Sequence, residues 1–546
     1  MKKKRLCLAV ATVVLLASVA CGLSSGAGDY QALVDLNDEF LEFRRPAMTN
    51  GLPDYRNETI ESQRAGLESF AQRLQAIDPT SWPVSQQVDY LLVRAQINRL
   101  DFDHRARRRW SRDPGLYVDT VQRLALQEFP LEGEKLAELE TQLGGVPAFL
   151  AQAEDNLTDG AGELTMLALR NLVTADGVGH GHPYREVPPA GTIAWYEDLG
   201  EQLEKHHSEL APKAKEAQAA VEGFHHWLKA NQGRMTAPSG VGRENYDWYL
   251  KYVAMMPFTW DDVNRIGDRE LHRSWTFLEL ERNKNRNLPP LEPAKSAEDY
   301  AQRIREADEH IRKFIVDMGI ITIPDYVGEL GSNVPWIVRE GGKRNFWEEV
   351  QYRDPRPDHV HAVIPGHRFD GLVRSHDDRP IRGTHRDRGR SEGWGFYLEE
   401  MMLQAGLLDE RPRTRELFYI FQIARAVRNR AEALMHTNDF TVQEAVDYMV
   451  DNTPFMDEDV ARVDAEIYLK TPGSGIAYQM GKLQIDELMM DRAIQLGDKF
   501  NLKEFHDAFM AAGTIPISFI RWEMTGYDDE VKDLFEKPET WGRRSR

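Results

Sequence analysis

The sequence contains very little cysteine. Only Cys7 and Cys21 occur among its 546 residues, and Cys7 lies inside a predicted signal segment. The mature chain would therefore hold no internal disulfide, which excludes the class of small exported domains that disulfides stabilise. A chain of this length does not need such bonds, because it can bury a large hydrophobic core.

The N-terminal apolar run is too short to cross a bilayer. Leu6–Ala17 follows the basic segment Met1–Arg5 and precedes Ser18 and Ala20, which form the small-x-small pattern of a cleavage site. This order of basic, apolar and small residues is typical of a secretory signal peptide. We predict a signal peptide over residues 1–20 and a flexible tether over residues 21–30.

Cys21 directly follows the predicted cleavage site, in a loose match to a lipobox. It would then be the first mature residue, which carries a diacylglyceryl anchor in bacterial lipoproteins. Ser18 stands where lipoboxes usually have leucine, so ordinary signal-peptidase cleavage nearby is the alternative. We predict an exported protein of the cell envelope, anchored as a lipoprotein or otherwise periplasmic or extracellular.

Positive charge is scarce relative to negative charge. The chain has 68 Lys and Arg against 88 Asp and Glu, a formal net charge of −20. Removing the four basic residues 2–5 with the signal peptide changes −20 to −24. Such a surface disfavours nucleic acid and anionic membranes as partners, so we expect membrane contact only through the N-terminal lipid.

Helical periodicity dominates the rest of the sequence. Apolar residues recur at three- and four-residue spacing, and capping-box patterns occur at Thr259–Asp262 and Thr441–Glu444. We predict a mainly α fold, a large multi-helix body with a central cleft, divided into an N-terminal region 31–235 and a C-terminal region 236–546. The clearest predicted helices are Gln87–Leu100, Pro212–Ala230, Thr259–Lys284, Leu417–Met435, Ala477–Leu496 and Leu502–Ala512.

Two segments favour β structure. Gly319–Val327 and Val334–Val338 are rich in β-branched and aromatic residues. Because they immediately precede the most informative motif in the chain, we predict a small β element near the candidate site.

That motif consists of two histidines and a later glutamate. His361 and His367 are six residues apart, about 240° around a regular helix, so they cannot share a helix face. Pro365 and Gly366 would allow a break that turns both imidazoles inward. With Glu392 they form a ligand set that suits zinc, although a solvated histidine or a glutamate at a helix N-terminus would need no metal.

Glu392 follows Ser391, a favourable N-cap, so we predict that it opens a helix. Glu399 lies two turns further on the same face. Gly393 and Gly395 would let this helix approach its neighbour closely.

Two more C-terminal patterns are candidates for the site. Glu432 and His436 are one helical turn apart and form either a substrate-binding stripe or a solvated ion-pair face. The glycine-rich turn Pro472–Gly475 leads to Tyr478, and could present backbone N–H groups and a phenol to an oxyanion. The alternative is that this turn only connects to the following helix and binds no oxyanion.

Together these motifs resemble the domain-of-unknown-function 885 family over most of the mature chain. The family consists of helical, often exported proteins similar to zinc metallopeptidases of the helical carboxypeptidase and dipeptidyl-carboxypeptidase type. The resemblance implies zinc ligands at His361, His367 and Glu392. The matching residues are Pro365–His367, Ser391–Trp394, Tyr397, Glu399, His436, Pro472, Gly473, Tyr478, Gly481, Phe505–Asp507, Gly513 and Pro516, and less specifically Trp110–Pro114, Tyr117 and Gly242–Tyr249.

The sequence departs from the family motif, His-Glu-x-x-Pro-Gly-His-His, at two positions. Ala362 stands where metallopeptidases of this kind place a glutamate base, and Arg368 replaces the second histidine. The base role therefore does not transfer, and its loss typically costs ~10²–10⁴-fold in rate.

These departures leave three functions to compare. The first is an exported zinc-dependent hydrolase of peptide or amide bonds, with Glu399, Asp358 or His359 as an alternative base. Tyr478 and His436 would stabilise its transition state. The second is a catalytically silent relative that binds peptides or an envelope partner, and the third is a purely structural lipoprotein.

Overall fold

The structure is a computed structural model. The predicted signal peptide and Cys21 lie outside its described residues. The predicted tether is described only at its end, where Asp29 caps a helix that begins at Tyr30. The described residues are 29–179, 182, 183, 185 and 187–536.

The N-terminal part is built from helices and one small hairpin. The elements are α1 (Tyr30–Phe43), β1 (Met48–Thr49), β2 (Leu52–Pro53), α2 (Asn57–Gln75), α3 (Val84–Phe102), α4 (Arg109–Arg112), α5 (Pro114–Ala125), α6 (Gly133–Asn156), α7 (Gly162–Val173), α8 (Gly191–His206) and α9 (Ala211–Asn231).

The C-terminal part is helical throughout its regular elements. These are α10 (Arg243–Tyr252), α11 (Trp260–Lys284), α12 (Ala297–Asp317), α13 (Phe346–Gln351), α14 (Arg356–Ala362), α15 (His367–Arg374), α16 (Arg388–Gln404), α17 (Pro412–Thr437), α18 (Val442–Asn452), α19 (Glu458–Lys470), α20 (Ala477–Leu496), α21 (Leu502–Ala511) and α22 (Ile517–Thr525).

The predicted mainly α fold is confirmed, and several predicted helices agree closely with observed ones. α20 has the predicted bounds, while α3 and α9 extend their predicted segments by a few residues. α11 begins at the predicted capping box, in which the Thr259 side chain accepts from the Asp262 amide and the Asp262 carboxylate accepts from the Thr259 amide. Local signals therefore determine these helix ends.

The predicted β element near the site is wrong. Neither Gly319–Val327 nor Val334–Val338 contains a strand, and the two-stranded sheet instead pairs Met48 with Pro53 and Thr49 with Leu52, against α6.

The apolar residues of the two wrongly predicted segments serve tertiary contacts. Ile320 and Ile321 are buried in the main core. The Thr322 amide donates to the Asp507 carboxylate at 2.8 Å, and the Ile337 amide donates to the Tyr352 hydroxyl at 2.9 Å. Side chains therefore satisfy these two backbone amides, which need no partner strand.

Two main clusters of buried side chains form the interior. The larger contains residues of α1–α3 together with α16, α17 and α20–α22. The smaller lies within residues 52–235 and is formed mostly by α5–α9. The division at residues 235 and 236 stays a prediction, since the larger cluster draws on both sides of it.

α16 and α20 approach each other closely, as the glycines of α16 predicted. A side chain on Gly393 would lie 2.6 Å from the Gly481 backbone, and one on Gly481 would collide with the Gly389 carbonyl oxygen. This contact fixes the helix that carries Glu392 and Glu399. Among the described helices, none combines the length and apolar character that a membrane span requires.

Candidate metal centre

The two histidines lie on either side of a break between short helices. α14 ends at Ala362 and α15 begins at His367, so the predicted interruption around Pro365 and Gly366 is confirmed. The Ile364–Pro365 peptide bond in this turn is cis. The rings of His361 and His367 lie edge to face, with their centroids 4.7 Å apart and their planes at 87°.

Glu392 reaches the histidines from α16. This helix begins one turn before the predicted start, because Asp387 caps it by accepting from the Arg390 amide at 2.7 Å. Ser391 is therefore not the N-cap, and Glu392 lies in the second turn. The prediction of the helix was right, but its first residue was wrong.

His361, His367 and Glu392 bring one ligand atom each to within 4.8 Å of the others. Oε2 of Glu392 lies 3.1 Å from Nε2 of His367 and 3.6 Å from Nε2 of His361. Adjacent ligands of a tetrahedral zinc ion with bonds of about 2.0–2.1 Å are roughly 3.3 Å apart, so these spacings fit zinc. Side-chain exposure of 5% for His361, 19% for Glu392 and 30% for His367 leaves the site open on the His367 side.

Glu399 supports His361 from the other side of its ring. Nδ1 of His361 lies 2.7 Å from Oε1 of the fully buried Glu399 carboxylate. Gln422 donates to the second oxygen at 3.4 Å, and an Arg425 guanidinium nitrogen lies 3.6 Å from the first. A carboxylate this close to the outer nitrogen is placed to orient the ring, and Nε2 is left free for a metal.

The packing of Gly395 explains how this arrangement fits on α16. A side chain at this position would lie 2.8 Å from the His361 ring. Glycine therefore makes room for the imidazole between Glu392 and Glu399.

Charges within the cluster shift the pKa values of its members. Burial disfavours the protonated form of His361, but Glu392 and Glu399 outweigh it and raise the pKa of the imidazole. Burial also opposes ionisation of Glu392, yet His367 and His361 hold the pKa of its carboxyl well below the usual range. The pocket thus favours an ionised Glu392 carboxylate that faces positive charge.

His359 and Asp358, the other two candidates for the general base, do not face the cluster. His359 pairs with Asp308, with 2.9 Å between Nε2 and Oδ1. Asp358 accepts hydrogen bonds from Asn333 and Gln351. Neither side chain joins the cluster, and the contact between Glu399 and His361 Nδ1 points to a positioning role for Glu399.

Tyr478 lies beside the cluster, where its ring stacks on His361 with centroids 6.0 Å apart. The guanidinium groups of Arg425 and Arg428 lie 5.0 and 4.7 Å from the centre of the same ring. Burial and the Glu392 charge raise the pKa of Tyr478, so its hydroxyl stays protonated. The sequence analysis did not identify Arg425. Its position among apolar residues of α17 could have indicated a buried arginine with a specific partner.

His436 is buried away from the three ligands. Its Nε2 lies 3.1 Å from the Tyr468 carbonyl oxygen, and its ring packs on Tyr246. The solvated ion-pair face considered for Glu432 and His436 does not form, because both side chains are buried and Glu432 accepts from the Tyr246 hydroxyl at 2.7 Å and from the Gly473 amide at 2.6 Å.

The predicted oxyanion donors of the turn are occupied as well. The Gly475 amide also donates to Glu432, alongside the Gly473 amide. These two N–H groups are therefore not available to a substrate. In the glycine-rich segment, Tyr478 remains the candidate that adjoins the site.

Comparison with known proteins agrees with this architecture. No curated protein matches the sequence. A "putative lipoprotein of unknown function" from Shewanella oneidensis has a similar solved structure, with a TM-score of 0.71 and 16% identity over 91% of this chain and 100% of that one. A "putative lipoprotein" from Colwellia psychrerythraea gives 0.68 and 16% over 90% and 97%.

These likenesses concern the fold alone. The sequence itself matches the family described as bacterial protein of unknown function (DUF885) over residues 43–314 and 359–524. The second segment includes the two histidines, Glu392, Glu399 and Tyr478. The chain therefore belongs to the DUF885 family.

Proposed function

We propose that this protein is an exported, zinc-dependent hydrolase of peptide or amide bonds. The observation that carries the proposal is the convergence of His361, His367 and Glu392, with their ligand atoms within 4.8 Å of one another. The Glu399 carboxylate behind His361 adds support, because metal-bound histidines commonly have such a partner.

Each side chain has a distinct task in this proposal. Zinc, when bound, acidifies a water molecule towards a pKa of ~7 and polarises a carbonyl group. His361 and His367 bind through Nε2, Glu392 binds through its carboxylate, and Glu399 holds the His361 ring by its Nδ1. Tyr478 donates its hydroxyl, which has no hydrogen-bond partner among the described residues, to the substrate carbonyl oxygen.

Ala362 favours a second function. It is the last residue of α14, is 5% exposed, and carries no proton acceptor where the family has glutamate. The alternative is a silent relative that retains the cluster and binds peptides or an envelope partner.

Zinc content and peptide turnover separate the two functions. Zinc would be measured in the purified protein, and cleavage of a mixed peptide library would be followed with and without a chelator. Chelator-sensitive cleavage that disappears in His361→Ala supports the hydrolase. Bound zinc without cleavage, with cleavage gained in Ala362→Glu, supports the silent relative, and a protein that binds no zinc rejects both metal-containing versions.

We also propose that Cys21 carries a lipid anchor, consistent with the lipoprotein description of the two similar structures. Cys21→Ser should move the exported protein from the detergent phase to the aqueous phase in a detergent phase partition. Cys7→Ser is the matched control and should leave the protein in the detergent phase. Detergent-phase recovery of Cys21→Ser would refute the anchor.

A further inference from the structure

A cavity of about 370 Å³ adjoins the candidate metal centre. The end of α3, the start of α16 and the turn 471–474 form its walls, and Glu392 is one of its lining residues. Small-molecule sites typically have volumes of ~300–1,000 Å³. The cavity is therefore large enough for part of a substrate whose scissile bond lies at the metal centre.

Three arginines line this cavity: Arg99 from α3, and Arg386 and Arg388 at the start of α16. All three are exposed. Their side chains make no hydrogen bond or ion pair with the described residues. In a chain with more carboxylates than basic groups, three arginines that line one cavity without a direct ion pair call for a physical reason.

The carboxylates in the cavity wall offset these arginines only in part, because Asp387 interacts electrostatically with Arg99 and Arg388 without an ion pair to either. Asp387 caps α16 through the Arg390 amide, and Glu392 faces the two histidines. Neither forms an ion pair with Arg99, Arg386 or Arg388. With three guanidinium groups against two carboxylates, one of which faces the histidines, the cavity wall carries net positive charge and favours an anion.

Two neighbouring groups support this interpretation. Ser474 lines the cavity at 1% exposure, and its buried hydroxyl has no hydrogen-bond partner. Buried hydroxyl groups in folded proteins usually have a hydrogen-bond partner. In addition, the charge of Arg99 contributes, after burial, to lowering the pKa of the neighbouring His385 to about 3.

We propose that this cavity is a subsite for a carboxylate of the substrate, bound by Arg99, Arg386 and Arg388 with Ser474. Planar guanidinium groups bind carboxylates through paired, charge-assisted hydrogen bonds. The inference rests on the proposed function only for the identity of the ligand as a peptide. The protein would thus select peptides by a free C-terminus or by an acidic side chain.

Binding of three N-acetylated pentapeptides to the metal-free protein tests this subsite by calorimetry. The first is all-alanine with a free C-terminal carboxylate, the second is its C-terminal amide, and the third is the amide with one alanine replaced by aspartate. The variant is Arg99→Gln, on a different helix from the metal ligands. Arg305→Gln, an exposed position on α12 that does not line the cavity, is the control.

A tenfold or greater preference for the free acid over the alanine amide, lost in Arg99→Gln but kept in Arg305→Gln, would identify the C-terminal carboxylate as the ligand. The same preference for the aspartate peptide would identify an acidic side chain. Equal binding of all three peptides, no binding of any, or no selective loss in Arg99→Gln would overturn the proposal.

The two proposals fail separately in this design. Carboxylate selectivity is measured without metal, so it does not depend on zinc or on turnover. Selective binding in a protein that never binds zinc would refute the zinc-dependent hydrolase and support the subsite. Zinc-dependent cleavage without carboxylate selectivity would support the hydrolase and refute the subsite.

Discussion

Glu399 is the residue that most directly links the buried interior to the candidate metal ligands. Its carboxylate is fully buried, and Oε1 lies 2.7 Å from His361 Nδ1. With Nδ1 on this side of the ring, Nε2 of His361 lies on the other side, 3.6 Å from Glu392. In addition, Arg425 lies 3.6 Å from the same oxygen, so the charge of Glu399 is not isolated.

Glu399→Gln should weaken zinc binding about 10–100-fold, because an outer partner orients a metal-binding histidine and increases its basicity. Competition between the protein and a chelating dye measures this affinity. The exposed Glu410→Gln removes the same charge elsewhere and should leave the affinity unchanged. Equal affinities in wild type and Glu399→Gln would contradict the positioning role.

His506 leads to a prediction about acid stability. Its Nδ1 lies 2.8 Å from the Ile320 carbonyl oxygen and its Nε2 lies 2.9 Å from the Tyr397 hydroxyl, in a completely buried setting. Burial lowers the pKa of His506 to about 4, from an ordinary value of 6.5. The unfolded chain therefore binds a proton between these pH values that the folded chain does not.

The stability contributed by neutral His506 is present above about pH 6.5 and is lost as the pH falls towards 4. Melting temperatures of wild type and His506→Gln, measured from pH 7 to pH 4.5, check this. The variant should be less stable at pH 7 but should lose fewer degrees on acidification. Parallel losses in the two proteins would show that His506 is not responsible.

At the scale of elements, the contact between α16 and α20 fixes the position of the site. Gly481→Ala would place a methyl group against the Gly389 carbonyl oxygen and 2.8 Å from the Gly393 Cα. Overpacking of this kind costs about 1–3 kcal/mol. We expect a melting temperature several degrees lower than in wild type.

Gly371→Ala on α15 is the control for this change. A side chain there meets nothing within 4 Å, and alanine favours a helix over glycine, so stability should stay equal or rise. Equal melting temperatures for Gly481→Ala and Gly371→Ala would contradict the close approach of α16 and α20.

The elements also show what the sequence can and cannot predict. Helices such as α11 and α20 were predicted because capping residues and apolar periodicity are local signals. The start of α16 was misplaced because Asp387 and Ser391 are both good N-caps. Only the packing of the helix against its neighbours decides between them.

The same limit applies to the segments around the site. Gly319–Val327 was predicted as a strand because a buried apolar segment has the same composition whether it pairs with a strand or docks onto helices. The three candidate metal ligands were predicted from their motif. The position of Glu399 behind His361, and the occupation of the Gly473 amide by Glu432, depend on tertiary contacts that no local pattern reports.

At the scale of the whole molecule, one large core joins α1–α3 to the helices that carry the site. α16 belongs to this core, and through it Glu392 and Glu399 are held in place. α3 brings Arg99 to the same side of Glu392, where the cavity lies. The N-terminal helices therefore contribute both to the core that supports the candidate metal centre and to the wall of the cavity beside it.

The central claim is that the whole chain assembles one zinc site from His361, His367 and Glu392. Titration of the metal-free protein with zinc, followed by calorimetry, tests it most directly. We expect one equivalent per chain in wild type, none in His367→Ala, and one in the control His376→Ala, an exposed histidine outside the cluster. Absence of zinc binding in wild type, or full binding in His367→Ala, would contradict the claim.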